Sequence, residues 1–175
     1  MEIVQREELK TKAKTLSNNL ILYGDSIPVY KTHESALEIA KKIIRDYCRL
    51  SLSKDSIHNA HRIGKPPTNG QIDQRRIKLY VTNSEIKNNI IRAYLTLRDT
   101  RHELYINEEL LPYVAKLYYD LRMLKKSNPN KIFTLYTRNG IIHVKKTRES
   151  KMMEIVTKDD FIKFINLIGL DNQIY

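Results

Sequence analysis

With 175 residues, 41% of them hydrophobic, and a net charge of +11, the chain can form one domain or two small domains with real cores. It has no apolar run near the roughly 20 residues that span a bilayer and no apolar signal-peptide core, and its single cysteine, Cys48, excludes a disulfide framework and a cysteine-rich zinc site. We therefore expect a folded protein without membrane insertion that stays inside the cell, in the cytoplasm, the nucleus or both.

Residues 1–18 predict a short charged helix. Its apolar residues follow the spacing of a coiled-coil seam at Leu9, Ala13, Leu16 and Leu20. Because two heptads make a very short coiled coil, homo-oligomerisation through this helix stays an open option.

Residues 19–106 alternate strands and helices in the order βαββαβ. Strands are predicted at 19–23, 57–63, 76–82 and 103–106, and helices at 34–48 and after a capping box of Thr82 and Glu85. From this order we predict an α+β fold with a ferredoxin-like domain of the RNA-recognition type, whose open sheet face binds single strands.

The third predicted strand alternates cleanly and directs Arg76, Lys78 and Tyr80 outward, where such domains carry binding residues. The first strand has Leu20-Ile21-Leu22 where an aromatic stacking residue is usual. We therefore expect weak base stacking on this sheet, with charge carrying more of the affinity.

Residues 107–168 predict a second, small α/β domain, followed by a tail at 169–175. One helix begins at Pro112 and runs to about Lys126. A β-hairpin, a short strand near 153–156 and a last helix capped by Thr157 to Asp160 follow. The helices are expected to pack on the apolar face of the hairpin.

The hairpin is predicted at residues 131–146, around Asn139-Gly140, a dipeptide that favours a two-residue type I′ turn and sets the register. In this register Arg138 lies opposite Ile141, Tyr136 opposite His143 and Thr134 opposite Lys145. One surface therefore carries cations and aromatic rings, from Arg138, Tyr136, His143 and Lys145. The other surface is predicted to face a core with Phe133, Leu135, Ile142 and Val144.

Positive charge is concentrated around this hairpin. Residues 116–151 contain ten Lys or Arg residues and two acids, and so carry +8 of the net charge of +11. Such a concentration is typical of proteins that bind a phosphate backbone. An anionic membrane surface is the competing interpretation, but it needs an amphipathic helix with apolar anchors, and these basic residues lie largely on predicted strands and turns.

The sequence contains few patterns that are typical of a catalytic site. Its five histidines lack zinc spacing, and His58 and His61 are expected on opposite faces of a strand. Neither a phosphate-binding loop nor a Gly-x-Ser-x-Gly elbow occurs. We therefore expect no catalytic residues, no metal and no cofactor, and predict a binding protein rather than an enzyme.

Six segments, in this order and spacing, resemble the RNA-binding first-open-reading-frame proteins of LINE-type retrotransposons and the related few-polyhedra proteins of baculoviruses and other large insect DNA viruses. The segments are Asn19-Leu-Ile-Leu-Tyr-Gly24, Ala60-His-Arg-Ile-Gly-Lys65, Arg75-Arg-Ile-Lys-Leu-Tyr-Val81, Leu104-Tyr-Ile-Asn-Glu-Glu-Leu110, Lys125-Lys126 and Arg138-Asn-Gly-Ile-Ile-His-Val-Lys145. The resemblance covers about residues 16 to 168.

The resemblance implies an oligomerising coiled coil and two domains that hold single-stranded nucleic acid in a basic cleft between them. The cations that it would assign to the cleft are Arg62, Lys65, Arg76 and Lys78 on the first domain and Arg138, Lys145 and Lys146 on the second. Its aromatic contacts would be Tyr80 and Tyr136. A short protein with almost no coiled coil fits the viral branch better, which implies a late-phase role in the host cell in virion envelopment, nuclear egress or occlusion.

Two functions from different classes follow. The first is sequence-independent binding of single-stranded RNA or DNA, as in a packaging protein or an annealing chaperone, with affinity that falls steeply as salt rises. The second is a viral assembly or envelopment factor whose basic surface meets an acidic protein partner, such as a viral structural protein. The choice between RNA and DNA stays open.

Overall fold

The structure is a computed structural model that describes residues 2–16, 18–68, 71–97 and 103–170. Within these residues it contains five helices and two antiparallel sheets, of four and three strands, so the fold is mixed α and β. The chain divides into two compact units. We call residues 18–109 the four-stranded unit, and residues 1–17 with 110–175 the three-stranded unit.

The elements follow the predicted order, with ends displaced by a few residues. They are α1 (Glu2–Thr15), β1 (Asn19–Tyr23), α2 (Ala36–Cys48), β2 (Ile57–Arg62), β3 (Ile77–Val81), α3 (Ser84–Leu97), β4 (Tyr105–Glu108), α4 (Pro112–Ser127), β5 (Thr134–Arg138), β6 (Ile141–Lys145), β7 (Met153–Ile155) and α5 (Lys158–Leu167). The four-stranded unit holds β1 to β4 with α2 and α3, and the three-stranded unit holds the rest.

The four-stranded sheet has the order β2-β3-β1-β4, and each pair of neighbours is antiparallel. Strand β3 alternates as its sequence predicts, because Ile77, Leu79 and Val81 are buried while the two residues between them are partly exposed. The apolar stripes of α2 and α3 pack against this buried side.

The helix caps differ in part from the predicted ones. The capping box of Thr82 and Glu85 is wrong, because Asn83 accepts a hydrogen bond of 3.0 Å from the backbone N–H of Ile86, while the Thr82 hydroxyl donates to a backbone carbonyl. At α5 the prediction is confirmed. Thr157 accepts from the Asp160 backbone N–H, and the Asp160 carboxylate accepts from the Thr157 backbone N–H.

The three-stranded sheet has the order β5-β6-β7. Its hairpin confirms the predicted register, from Thr134 opposite Lys145 to Arg138 opposite Ile141. At the turn, Asn139 and Gly140 have φ angles of 53° and 73°. A type I′ turn requires positive φ at both positions, so the Asn-Gly pair accounts for the register.

The prediction that Phe133 faces the core is wrong. Phe133 is 53% exposed, whereas its neighbour Ile132 is fully buried. The backbone N–H of Phe133 donates to the carbonyls of both Lys145 and Lys146. Phe133 therefore lies just outside the regular β5 ladder, and the alternation that holds along β5 does not extend to it.

Helix α1 packs within the three-stranded unit. Ala13 is 3% exposed, and a Cβ added to Gly140 would lie 3.1 Å from the Cβ of Ala13. At the other end of the helix, Arg6 forms a hydrogen-bonded ion pair with Asp160 at the start of α5. Helix α1, which is predicted from the sequence as a separate segment, thus shares a compact unit with residues 110–175.

The predicted coiled-coil seam is too long by one position. Leu20 belongs to β1 and is fully buried in the core of the four-stranded unit. Spacing placed it on the seam, but the helix ends at Thr15 and a strand begins at Asn19. Oligomerisation through α1 stays a prediction.

Asp160 makes the stability of the three-stranded unit sensitive to acid. Burial opposes its charged form, but the backbone N–H groups of Val156 and Thr157 and the Arg6 guanidinium outweigh it and hold the pKa of Asp160 below its ordinary value. A carboxyl with a lowered pKa contributes stability above its unfolded pKa and loses that contribution as pH falls through its folded pKa.

We therefore expect Asp160→Asn to lower the free energy of unfolding by about 1 kcal/mol at neutral pH. It should also remove part of the stability loss that the wild type shows below about pH 4. Urea titrations at neutral and acidic pH check this, with Asp159→Asn at an exposed position of the same helical turn as the control. An unchanged acid dependence in Asp160→Asn would contradict it.

Candidate nucleic-acid interface

The side of the four-stranded sheet opposite to α2 and α3, which we call the outer sheet face, carries aromatic and polar side chains. Residues paired across antiparallel strands point to the same side of a sheet. The pairings therefore group Asn59 and His61 of β2, Lys78 and Tyr80 of β3, Ile21 and Tyr23 of β1, and Tyr105 and Asn107 of β4.

Tyr80, a predicted aromatic contact, shares this face with two histidines. The centroid of its ring lies 5.5 Å from that of His61 and 5.9 Å from that of His58. The prediction that the two histidines project from opposite faces is wrong, because a β-bulge between Ile57 and Asn59 shifts the pairing of β2 with β3. The middle of the face therefore carries three aromatic rings.

Lys78, a predicted cation of the site, is largely neutralised. Its ammonium lies 2.7 Å from the Glu109 carboxylate and 4.9 Å from the centroid of the Tyr80 ring. Partial burial works against the charged ammonium, but Glu109 outweighs it and holds the pKa of Lys78 above its ordinary value. Lys78 therefore adds little net charge to the outer sheet face.

Arg62, also predicted to bind nucleic acid, is a buried structural residue. Its side chain is 4% exposed and forms an ion pair with Glu34. Its guanidinium also donates to the backbone carbonyls of Pro28 and Arg75. Although burial opposes the charged carboxylate, Arg62 helps to hold the pKa of Glu34 below its ordinary value. Arg62 thus joins the segment before α2 to the segment before β3 rather than facing a ligand.

Arg76 and Lys65 differ from these two residues. Both are exposed, and in the part of the chain that the structure describes neither forms an ion pair. The guanidinium of Arg76 lies over the Tyr23 ring, 5.3 Å from its centroid. The uncompensated positive charge of this unit's predicted site therefore lies beside Tyr23 and in the loop after β2.

Tyr23 and Tyr105 form an aromatic pair that was not predicted. Their rings are stacked, with centroids 5.1 Å apart and planes 17° from parallel. The alternation that buries Leu20 and Leu22 puts Tyr23 on the outer sheet face, so the signal was present. The expectation of weak stacking rests on Leu20-Ile21-Leu22, in the middle of β1, and therefore does not include Tyr23.

The hairpin of the three-stranded unit groups its predicted residues as expected from the register. Tyr136 and His143 stack with ring centroids 5.1 Å apart and planes 13° from parallel. Tyr136 is 37% exposed, and Arg138 beyond it on β5 is exposed. Thr134 and Lys145 form the next pair on the same surface. We call this surface the hairpin face.

On the β7 side of the hairpin face the charge is balanced. Glu154 lies opposite His143, and its carboxylate is 3.0 Å from the Lys10 ammonium. Lys10, together with His143 and Arg6, outweighs burial and holds the pKa of Glu154 below its ordinary value. The charge of Glu154 on β7 is therefore balanced by Lys10 of α1.

Within the described ranges, three lysines near the hairpin donate to backbone carbonyls and none of them pairs with a carboxylate. Lys145 donates to Arg148 and Lys146 to Leu167, each at 3.0 Å, and Lys125 donates to Phe133 at 3.1 Å. A neutral carbonyl orients an ammonium group without cancelling its charge. Lys145 and Lys146, both predicted cations, therefore keep their full electrostatic effect.

The described residues offer neither a metal site nor a membrane-spanning helix. No group of three or more His, Cys, Asp and Glu side chains among the described residues could hold a metal ion. Within the same four ranges, no helix combines the length and apolar character needed to cross a membrane.

Comparison with known proteins adds no identification. The chain matches no protein-family model, and no curated protein matches it either. Function must therefore be inferred from the residues and contacts of the two units.

Proposed function

We propose that this protein binds single-stranded nucleic acid, RNA or DNA, without sequence preference, and acts as a packaging protein or annealing chaperone. The observation that carries the proposal is the hairpin face. There Tyr136 and His143 form a stacked, partly exposed pair, with Arg138 and Lys145 at either end of it. Aromatic rings can stack with any base, and adjacent cations can contact phosphates.

The charge distribution supports the same function. The segment 116–151 carries +8, and its lysines at 125, 145 and 146 are directed by carbonyls rather than neutralised by acids. Binding of this type releases counterions, so its affinity falls as salt concentration rises.

We also propose that the four-stranded unit is a ferredoxin-like domain of the RNA-recognition type. Its element order βαββαβ and its strand order β2-β3-β1-β4 support this assignment. The aromatic residues of the outer sheet face, including Tyr80 and the pair of Tyr23 and Tyr105, fit a sheet that contacts bases. A few-polyhedra-like role in a large insect DNA virus is the biological setting that we propose.

Fluorescence polarisation of a short labelled single-stranded RNA tests the proposal with the double variant Arg138→Ala/Lys145→Ala. We expect the dissociation constant to rise on the order of tenfold at moderate salt, because two phosphate contacts are lost. The slope of log affinity against log salt should decrease in magnitude by roughly 1.4, about 0.7 for each contact. Titrations between about 50 and 200 mM salt measure both quantities.

The matched control is Arg45→Ala/Lys42→Ala, which removes the same two charges from exposed positions on α2. It should bind like the wild type. Equal losses in the two double variants would mean that net charge, and not the hairpin face, determines affinity. No binding by the wild type would overturn the proposal.

The second candidate function is a viral assembly factor with an acidic protein partner. It is favoured by the exposed side of α4, where Tyr119 is 62% exposed and Met123 is 45% exposed on a helix that ends in Lys125 and Lys126. Failure of the wild type to bind RNA would make this candidate the leading one.

A further inference from the structure

A three-layer stack crosses the outer sheet face from one strand to the next. The Arg76 guanidinium, just before β3, covers one face of the Tyr23 ring on β1. Tyr105 on β4 stacks with Tyr23. Because the sheet order is β3-β1-β4, the three groups follow one another towards the β4 edge.

The stack ends at an exposed ring. Tyr105 is 45% exposed, and β4 is the last strand of the sheet on that side in the described part of the unit. Among the described residues, no strand of this sheet continues the stack beyond β4. The ring of Tyr105 therefore presents apolar surface to solvent at the place where a further planar group would extend the series.

The stack is held in place before any ligand arrives. The Asn107 side-chain amide donates a hydrogen bond of 2.7 Å to the Tyr23 hydroxyl, which joins β4 to β1 across the outer sheet face. The turn after β1 is joined to the start of the β4 segment as well, since the backbone N–H of Ser26 donates to the carbonyl of Glu103. A platform ordered in advance avoids part of the entropy cost of binding.

The charge on this face also favours the stack over the middle of the sheet. Lys78 beside Tyr80 is neutralised by Glu109, whereas Arg76 has no carboxylate partner among the described residues. An anionic backbone that crosses the face would therefore meet uncompensated charge at the Tyr23 end. Base stacking and phosphate attraction act together there.

We propose that an unpaired nucleobase stacks on Tyr105, at the β4 edge of the sheet, with Arg76 attracting a phosphate of the same strand. This subsite rests on the proposed function and adds to it a defined base position in the four-stranded unit. The ligand class is any unpaired base, because stacking uses the flat face that all bases share.

A cross-strand tyrosine pair also stabilises a sheet, so the test must separate stacking on a ligand from stability. The probe is a single-stranded oligothymidylate with one 2-aminopurine, whose fluorescence falls when it stacks. The proteins are the wild type, Tyr105→Phe, which keeps the flat ring, and Tyr105→Leu, which keeps apolar packing without it.

We expect the wild type and Tyr105→Phe to quench the probe and Tyr105→Leu to lose most of the quenching. The dissociation constant of Tyr105→Leu should rise about fivefold or more, the equivalent of the lower limit for stacking one base. Quenching by Tyr105→Leu equal to that of the wild type would overturn the subsite.

A second measurement needs no variant. An oligonucleotide containing 4-thiouridine is photo-crosslinked to the wild type, and the attached residue is mapped by mass spectrometry. Attachment at Tyr105 supports the subsite, and attachment confined to the hairpin face overturns it. If the wild type binds neither probe, the proposed function itself is wrong. If the wild type binds and only Arg138→Ala/Lys145→Ala loses affinity, the subsite is wrong and the proposed function stands.

Discussion

Replacement of Lys87 by alanine is expected to lower the free energy of unfolding of the four-stranded unit by about 3 to 5 kcal/mol. The Lys87 side chain on α3 is fully buried, and its ammonium lies 2.6 Å from the carboxylate of Glu108, which is 3% exposed. The alanine variant would leave a buried carboxylate without this cation. Small domains are stable by only about 5 to 15 kcal/mol, so the loss is a large fraction of the total.

The large expected loss of stability in Lys87→Ala arises because only one partner of the ion pair is removed. A buried ion pair adds little over a well-packed apolar pair, whereas a buried charge that has lost its partner is costly. The double variant Lys87→Met/Glu108→Leu should therefore recover much of the stability lost in Lys87→Ala.

Urea unfolding measures these effects, with Lys42→Ala as the control. The exposed Lys42 pairs with the partly exposed Asp46 on α2, so its loss should cost less than about 1 kcal/mol. A Lys87→Ala variant that loses no more stability than Lys42→Ala would contradict the prediction.

The second large effect is expected at Gly24, immediately after β1. Its φ angle is +116°, which side-chain-bearing residues rarely adopt, and a Cβ built there would lie 2.3 Å from the carbonyl oxygen of Glu103. That atom belongs to the backbone of the segment leading into β4 and cannot move away cheaply. We expect Gly24→Ala to cost about 3 kcal/mol or more, from backbone strain and overpacking together.

Gly64 provides a matched control. It also has a positive φ angle, +93°, but a Cβ added there would meet nothing within 4 Å. Gly64→Ala should therefore show the cost of backbone strain alone, and the difference between the two variants isolates the clash with Glu103. Equal stabilities of the two variants in thermal or urea unfolding would mean that the close approach of Gly24 to Glu103 does not affect the free energy of unfolding.

The clash at Gly24 also concerns the candidate interface. The same Cβ would lie 3.2 Å from the ring of Tyr105. We therefore expect any Gly24→Ala protein that still folds to bind the 2-aminopurine probe with less quenching than the wild type.

Local patterns predicted the register of the hairpin correctly but placed one side chain of each sheet on the wrong face. The register of β5 and β6 follows from the Asn139-Gly140 turn, whose residues are adjacent in sequence. His58 and Phe133 were placed on the wrong faces because a bulge in β2 and an irregular start of β5 interrupt the alternation. The alternation of apolar and polar residues along a strand does not indicate where its pairing with the neighbouring strand will be interrupted.

By itself the sequence determined the segments that form strands and helices, the register of the hairpin and the concentration of basic residues around it. These depend on turn chemistry, hydrophobic periodicity and composition, which act between near neighbours. Only the tertiary structure decided which cations keep their charge. Arg62 meets Glu34 across 28 positions and Lys78 meets Glu109 across 31, whereas Arg76 meets the Tyr23 ring. Such pairings arise when the fold brings together segments that are distant in sequence, and no local pattern encodes them.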